Sequence, residues 1–197
     1  MTEMKPKKQL AHLFNATRCI GCTACMNACA QTNHGDVMAS GKPIHGRVMP
    51  GNIQKIVMDG NRRPFQIMSQ CQQCTDAPCI KACPFGANYR DPETGQVKID
   101  PKRCMGCNYC ITACPYDARW SNPLTGLPEK CMGEGCQKLV AEGKDPACVA
   151  ACPTNARVFG DILDPESAIS REIASSRTVK LLEEKGTLPN FFVEVAK

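Results

Sequence analysis

Sixteen cysteines in four compact groups constrain this 197-residue chain more than any other feature. The first and third groups have the spacing C-x2-C-x2-C-x3-C, and the second has C-x2-C-x4-C-x3-C. The fourth is stretched, with the spacing C-x4-C-x11-C-x3-C. Every group ends in C-x3-C, which indicates four diverged copies of one module. The groups are, in order, Cys19, Cys22, Cys25 and Cys29; Cys71, Cys74, Cys79 and Cys83; Cys104, Cys107, Cys110 and Cys114; and Cys131, Cys136, Cys148 and Cys152.

Three kinds of structure could account for so many cysteines: a disulfide framework, zinc sites or iron-sulfur clusters. Disulfides are disfavoured because cysteines two or three residues apart on a tight turn are poorly placed to pair. Zinc favours C-x2-C knuckles joined by a longer spacer, often with a histidine ligand. Here His12, His34 and His45 lie outside all four groups, and we interpret them as surface or structural residues. A cysteine-rich zinc protein is therefore the weaker alternative.

The tight spacing C-x2-C-x2-C favours a cubane cluster, because three thiolates on one loop can hold three corners of a 4Fe-4S cube. The fourth cysteine, one helical turn later, points away. In bacterial two-cluster ferredoxins it ligates the other cluster, and a following proline redirects the chain. Pro84, Pro115 and Pro153 fit this pattern, whereas the first group has Ala30 at that position. The sequence predicts four 4Fe-4S clusters.

The charge balance agrees with buried anionic cofactors. The formal net charge is +5 with neutral thiols. An oxidised 4Fe-4S cube with its four thiolates carries about −2, so four of them would bring the holoprotein to about −3. Arg18, Arg103 and Lys130 each precede the first cysteine of a group. We interpret such cations as compensation for the clusters, and we expect no nucleic-acid partner.

The segments between the groups predict turns and short strands. Residues 88–90 and 96–100 flank the turn sequence DPETG and predict a β-hairpin. The sequence PLTG at 123–126 predicts a similar turn. Residues 36–63 are rich in glycine, proline and basic residues and predict an irregular insertion.

A helix is predicted beyond the last cysteine. Asp164 is a candidate N-cap with Pro165 at the first helical position, and Gly186 is a candidate end of the helical region. The helix would pack on its own domain through an apolar face. That face comprises Ile169, Ile173, Val179, Leu181 and Leu182.

Neither a catalytic site nor a membrane segment is evident in the sequence. It has no nucleophile-base pairing, no phosphate-binding glycine loop and no paired carboxylates, so we expect an electron carrier rather than an enzyme. No stretch approaches the roughly 18 apolar residues of a spanning helix. Residues 1–18 contain no apolar signal-peptide segment, and the Arg62-Arg63 pair is internal. The chain is expected to be soluble by itself and to reach a membrane only through a partner.

The order of the groups resembles the iron-sulfur (beta) subunits of the molybdopterin oxidoreductase family. These include the electron-transfer subunits of dimethyl sulfoxide, polysulfide, arsenate and tetrathionate reductases. The resemblance covers about residues 8–164 and extends to the phrases CPYDARW, AEGKDPACV and CPTNARVFGD. It implies an α+β fold of two nested bacterial-ferredoxin-like domains with short helices, β-hairpins and much irregular loop. The outer domain would comprise 8–35 with 128–163 and the inner domain 64–127, beside the insertion 36–63 and a C-terminal extension 164–197.

The resemblance also implies a ligand set for each of four 4Fe-4S clusters. In relatives the outer pair of clusters faces the molybdenum subunit and the inner pair faces the membrane anchor or quinone. The implied sets are Cys19, Cys22, Cys25 and Cys152 for cluster one; Cys131, Cys136, Cys148 and Cys29 for cluster two; Cys71, Cys74, Cys79 and Cys114 for cluster three; and Cys104, Cys107, Cys110 and Cys83 for cluster four.

Two positions bear on how closely this chain follows the family. The fourth group usually begins C-x2-C, whereas Cys131 and Cys136 enclose Met-Gly-Glu-Gly, and two glycines could let this longer loop bulge. Some relatives have tryptophan at the second position of the third group and hold a 3Fe-4S cluster. Cys107 is present here, so a 4Fe-4S cluster is expected.

The resemblance predicts a non-catalytic subunit that relays electrons between a large molybdopterin (Mo or W) catalytic subunit and a quinone-linked membrane anchor. The alternative is a soluble polyferredoxin that shuttles electrons between partner oxidoreductases. Membrane association through partners is expected, either on the periplasmic face after export with the catalytic subunit or in the cytoplasm. The sequence leaves these two locations open.

Overall fold

Short helices and two-stranded ribbons surround one four-stranded sheet in the computed structural model, which describes residues 5–45, 49–58 and 64–196. The helices are α1 (Ala24–Ser40), α2 (Pro78–Lys81), α3 (Tyr109–Thr112), α4 (Glu134–Ala141), α5 (Ala147–Ala150) and α6 (Ala168–Ser175). The strands are β1 (Leu10–Asn15), β2 (Ile53–Met58), β3 (Pro64–Ser69), β4 (Asn88–Arg90), β5 (Val97–Ile99), β6 (Trp120–Ser121), β7 (Pro128–Glu129), β8 (Arg157–Asp161), β9 (Thr178–Val179) and β10 (Phe191–Glu194). The predicted α+β class is confirmed.

The third cysteine of each group lies in a helix and is buried. Helices α2, α3 and α5 are each four residues long, and each is soon followed by a Cys-Pro pair. Proline lacks a backbone N–H and restricts the residue before it, so these helices end there. Ala30 in the first group imposes no such stop, and α1 continues past Cys29 to Ser40, with a kink at His34, whose backbone is not helical. The missing proline is thus the local reason why this helix continues beyond its last cysteine.

Both predicted hairpins are confirmed, but residues 36–63 are more regular than predicted. Strands β4 and β5 pair antiparallel, as do β6 and β7. The expectation of an irregular insertion was wrong, because this stretch contains the end of α1 and all of β2, which pairs with β3. Residues 46–48 and 59–63, with the Arg62-Arg63 pair, lie outside the described residues.

The four-stranded sheet joins the two ends of the described chain. Its order is β8-β1-β10-β9, with β1 parallel to β10 and antiparallel to β8. Residues just before β10 also contact the loop of the second cysteine group, since the Asn190 backbone N–H donates to the Gln72 carbonyl at 2.8 Å and the Thr75 N–H donates to Leu188 at 2.8 Å. The C-terminal segment therefore braces a cysteine loop as well as completing the sheet.

The predicted C-terminal helix is shorter than expected. It begins at Ala168, because Ser167 is the N-cap and its hydroxyl accepts from the Ser170 N–H. Asp164 instead accepts from the Glu166 N–H, in a turn that precedes the helix. The helix ends at Ser175 rather than Gly186, since the chain then enters β9 and pairs with β10.

Ile169 and Ile173 of the predicted apolar face lie in α6 and pack on the sheet. The prediction was wrong for Val179, Leu181 and Leu182, which lie beyond the end of the helix, with Val179 and Leu182 exposed. Ile169 is fully buried against Ala11, Leu13 and Phe192, with Ile173 at the edge of the same cluster. In the described part of the chain, no helix is long and apolar enough to cross a membrane.

Candidate iron-sulfur centres

Cysteines from different groups line three recesses, each partly open to solvent. All sixteen are free thiols. Site 2, about 290 Å³, is lined by Cys29, Cys131, Cys136 and Cys148. Site 3, about 310 Å³, is lined by Cys71, Cys74, Cys79 and Cys114. Site 4, about 260 Å³, is lined by Cys83, Cys104, Cys107 and Cys110. Each recess thus has three cysteines from one group and the last cysteine of another.

Site 1 brings together the first group and the end of the fourth. The charges of Cys19 and Cys152 act on the Cys25 thiol and help raise its pKa, although burial is the largest cause. Cys22 lies on the same loop and is exposed. We refer to Cys19, Cys22, Cys25 and Cys152 as site 1.

The lengthened loop of the fourth group fits closely against helix α1. Asn33 connects the two segments, because its Oδ1 accepts from the Cys136 N–H at 2.9 Å and its Nδ2 donates to the Cys29 carbonyl at 3.0 Å. A Cβ at Gly133 would lie 2.7 Å from Asn33, and one at Gly135 would overlap the carbonyl oxygen of Thr32. The two glycines therefore permit the close approach that brings Cys131 and Cys136 to site 2.

The recurring sequence C-P-x-x-A supplies a backbone donor to the last cysteine of a group. Ala87 N–H donates to the Cys83 sulfur at 3.2 Å, and Ala156 N–H donates to the Cys152 sulfur at 3.3 Å. Burial opposes the effect, but these and neighbouring donors lower the pKa of Cys83 and of Cys152. The residue before the alanine has a positive φ; this residue is Gly86, Asp117 or Asn155, types that tolerate this conformation. The repeated alanine was the available sequence signal, and the sequence-based prediction did not include it.

In other thiols the pKa is raised rather than lowered. Burial, followed by the charge of Cys148, raises the pKa of Cys29 to about 12. Burial, followed by the charge of Cys71, raises the pKa of Cys74 to about 12. Such thiolates need a cation to compensate for lost hydration. Since 4Fe-4S clusters are held by four cysteine thiolates, the donor set of each site fits this cofactor. Among the described residues, no His, Cys, Asp or Glu side chains group as ligands of a single metal ion.

Two buried arginines stand beside the sites, and neither was predicted from the sequence. Burial would lower the pKa of Arg119, but the charges of Cys79 and Cys71 outweigh burial and raise it. For Arg157 the charges of Cys148 and Cys25 outweigh burial in the same way. Each arginine follows the repeated alanine in C-P-x-x-A-R, which was the signal that could have found them.

The three cations noted before the cysteine groups differ in their surroundings. Lys130 is buried, and its Nζ donates to the Cys131 carbonyl at 2.9 Å. Burial lowers the pKa of Lys130, although the charge of Cys71 opposes this shift. Arg18 is exposed and pairs with Glu172 at 2.8 Å, and Arg103 is also exposed. Of the three cations, only Lys130 is buried near buried thiols. The interpretation that these cations compensate the negative charge of the clusters is therefore supported for Lys130 alone.

The histidines are structural or exposed, as interpreted from the sequence. His34 is buried at the edge of site 2, with its Nδ1 2.9 Å from a Glu129 carboxylate oxygen and its ring 4.9 Å from the Trp120 ring centroid. His12 is buried in β1, and its ring lies 4.7 Å from that of Phe159. His45 is exposed.

Replacement of His12 by phenylalanine is expected to reduce the loss of stability in mild acid. Burial, and then the charge of Arg157, lower the pKa of His12 from 6.5 to about 3. Below pH 6.5 the unfolded state takes up a proton here that the folded state does not, so the free energy of unfolding falls by about 1.4 kcal/mol per pH unit until the folded pKa is reached. Anaerobic guanidinium denaturation of the holoprotein at pH 7.5 and 5.5 would show a larger drop for the natural chain than for His12→Phe. Equal drops would contradict this role of His12.

Comparison with known proteins agrees with the geometry. Residues 65–162 match the model of the 4Fe-4S dicluster domain, and residues 16–32 match that of a 4Fe-4S binding domain. The chain is 39% identical to the Protein NrfC homolog of Haemophilus influenzae, over 95% of this chain and 80% of the relative. It is 35% identical to a chain of polysulfide reductase from Wolinella succinogenes, over 94% of each of the two proteins. Identity to a subunit of sulfite dehydrogenase from Allochromatium vinosum is 34%, over 92% of this chain and 80% of the relative.

These matches run through all four cysteine groups and cover most of each relative. The molecule is an iron-sulfur protein that binds 4Fe-4S clusters. The family resemblance inferred from the sequence is confirmed. This protein belongs to the family of iron-sulfur (beta) electron-transfer subunits of the molybdopterin oxidoreductases.

Proposed function

We propose that this chain relays electrons between a large molybdopterin (Mo or W) catalytic subunit and a membrane-anchor subunit, and that it has no substrate chemistry of its own. Two relatives are named as a chain of a reductase and a subunit of a dehydrogenase, which supports a role as one subunit of a larger oxidoreductase. Attachment to the membrane would then come through the partner, on whichever side the complex is located.

Each of the four sites would hold one 4Fe-4S cluster, with one iron bound by each thiolate. Sites 1 and 2 would belong to an outer domain of residues 8–35 and 128–163, and sites 3 and 4 to an inner domain of residues 64–127. The proposed ligands are Cys19, Cys22, Cys25 and Cys152 in site 1; Cys29, Cys131, Cys136 and Cys148 in site 2; Cys71, Cys74, Cys79 and Cys114 in site 3; and Cys83, Cys104, Cys107 and Cys110 in site 4.

Electrostatic interactions that link neighbouring sites support a linear relay. Cys25 of site 1 acts on the pKa of Cys148 in site 2. Cys71 of site 3 acts on that of Cys131 in site 2. The Arg119 guanidinium lies near thiols of both site 3 and site 4. These interactions favour the order 1-2-3-4.

The two terminal sites of this order, sites 1 and 4, each have an exposed cysteine. This observation carries the proposal. Of the sixteen cysteines, Cys22 in site 1 and Cys107 in site 4 alone are exposed. A large apolar side chain is exposed beside each, with Ile20 67% and Met105 70% accessible. A carrier that receives electrons at one end and delivers them at the other needs its terminal centres near the surface. By family resemblance, site 1 would face the catalytic subunit and site 4 the anchor.

Charged substitutions at the two ends are expected to detach different partners. Ile20→Asp should weaken copurification of the large pterin-containing subunit, and Met105→Asp that of the anchor, because each places a carboxylate in an apolar contact. Leu163, also apolar and exposed, lies in neither cysteine group, so Leu163→Asp is the matched control.

The same anaerobic purification tests the cofactor content. We expect a brown protein with about 16 iron atoms and 16 sulfides, four of each per cluster. A colourless protein loaded with zinc would overturn the proposal. Copurification with no large subunit, together with full iron content, would favour a free polyferredoxin instead. Loss of both partners in either variant would contradict separate docking ends.

A further inference from the structure

Two buried arginines keep N–H groups that have no acceptor. Arg119 and Arg157 are 2% and 3% accessible. The Nη1 and Nη2 atoms of Arg119 and the Nε and Nη1 atoms of Arg157 are buried and have no hydrogen-bond partner. The acceptors that the two side chains do have are Gln70 and Cys25 for Arg157 and the thiol of Cys79 for Arg119. A buried guanidinium N–H without an acceptor is costly, so the remaining N–H groups point to acceptors that the described polypeptide does not provide.

Each arginine interacts electrostatically with thiols of both sites of one pair, and Arg119 also lines the recess of site 3. The thiols that act on Arg119 are Cys79 and Cys71 of site 3 and Cys110 of site 4. Those that act on Arg157 are Cys148, Cys131 and Cys29 of site 2 and Cys25 of site 1. The corresponding position, five residues after the last cysteine of a group, is the neutral Asn88 amide in the second module. The cation is therefore a feature of particular modules and not of the repeat itself.

We propose that Arg119 and Arg157 tune the reduction potentials of the clusters on either side of them, Arg119 those of sites 3 and 4 and Arg157 those of sites 1 and 2. The inference rests on the ligand sets proposed above. The orphaned N–H groups donate to cluster or thiolate sulfur, and the fixed charge favours the state that carries one more electron.

The physical basis is the charge that reduction adds. A one-electron reduction makes a cluster more negative by one unit, and a nearby arginine keeps its positive charge throughout because its guanidinium is not deprotonated in proteins. A buried charge acts through a lower effective dielectric than an exposed one and is screened less by salt. Cluster potentials also respond to hydrogen bonds to sulfur. Both effects raise the potential.

The test is an EPR-monitored redox titration of the full chain, purified anaerobically with its iron and reduced stepwise with dithionite. In Arg119→Met, the equilibrium constant for one-electron reduction should fall at least tenfold at two clusters, which is about 59 mV. In Arg157→Met the other two clusters should shift. The lysine variants at both positions keep the charge and should restore most of the potential. Arg103→Met is the matched control, because Arg103 is exposed although it adjoins Cys104 of site 4.

Unchanged potentials in both methionine variants with full iron content would overturn the inference, as would equal shifts of all four clusters. If the methionine variants lose iron while the lysine variants keep it, the arginines serve cluster assembly, and the tuning role is wrong. A natural chain with fewer than about 16 iron atoms would instead count against the proposed four-cluster function. The two failures are therefore distinguishable.

Discussion

Protein produced without iron-sulfur assembly is expected to be largely unfolded. The interior depends on cysteines: Cys74, Cys79 and Cys110 are three of the five buried residues of one core cluster, against which Ile80, Ile111 and Tyr116 are partly buried. Cysteines also occur in two of the other three described core clusters. Without iron, the polypeptide would have to bury these thiols and the unsatisfied N–H groups of Arg119 and Arg157 with no compensation. Folding is therefore coupled to metal binding, as in other small metalloproteins.

The single tryptophan gives a direct measurement of this effect. Trp120 is 2% accessible, so its emission should shift to the red when the protein unfolds. We expect protein made without cluster assembly to show that shift, to lose most helical circular dichroism and to melt without cooperativity. The holoprotein in the same anaerobic buffer is the control. A compact apo form that melts cooperatively would show that the polypeptide carries its own core.

The cysteine sites were more predictable than the rest of the fold, for a local reason. Ligands two to four residues apart are brought near each other by the loop that contains them, so spacing alone indicates the site. The last cysteine of each group lies at a site formed mainly by a group that is distant in the sequence. This pairing was predicted only from the family resemblance. Its observed neighbours, such as Cys152 near Cys25, agree with that pattern.

Features that depend on distant partners were not predictable from local pattern. Helix α6 is shorter than expected because Val179 pairs with Val193, a contact that no local signal announces. Strand β10 lies between β1 and β9, although its sequence resembles any short apolar segment. The buried state of Arg157 likewise depends on tertiary packing, since Gln70 from another part of the sequence accepts a hydrogen bond from it. Charged side chains are usually solvated. Only the repeated sequence C-P-x-x-A-R could have indicated that this arginine is buried.

Gly135→Ala is expected to remove the cluster of site 2. The new methyl group would overlap the Thr32 carbonyl oxygen, and this backbone atom of α1 cannot rotate away. Helix α4 would have to separate from α1, which would stretch the 2.9 Å bond from the Cys136 N–H to Asn33. Overpacking of this kind costs about 1–3 kcal/mol, and here the displaced segment includes a proposed ligand. We expect about a quarter of the iron to be lost, with one EPR signal missing.

Gly35→Ala is the matched control for this substitution. Gly35 lies in α1 only three residues after Thr32, yet a Cβ there meets nothing within 4 Å. Gly35 directly follows the kink at His34, and its φ is outside the left-handed region, so alanine fits there and this variant should keep all its iron and melt at about the same temperature. Full iron content and unchanged melting in Gly135→Ala would mean that the Met-Gly-Glu-Gly loop tolerates a side chain at its contact with α1. The two glycines would then not explain how a C-x4-C spacing serves a site that relatives build with C-x2-C.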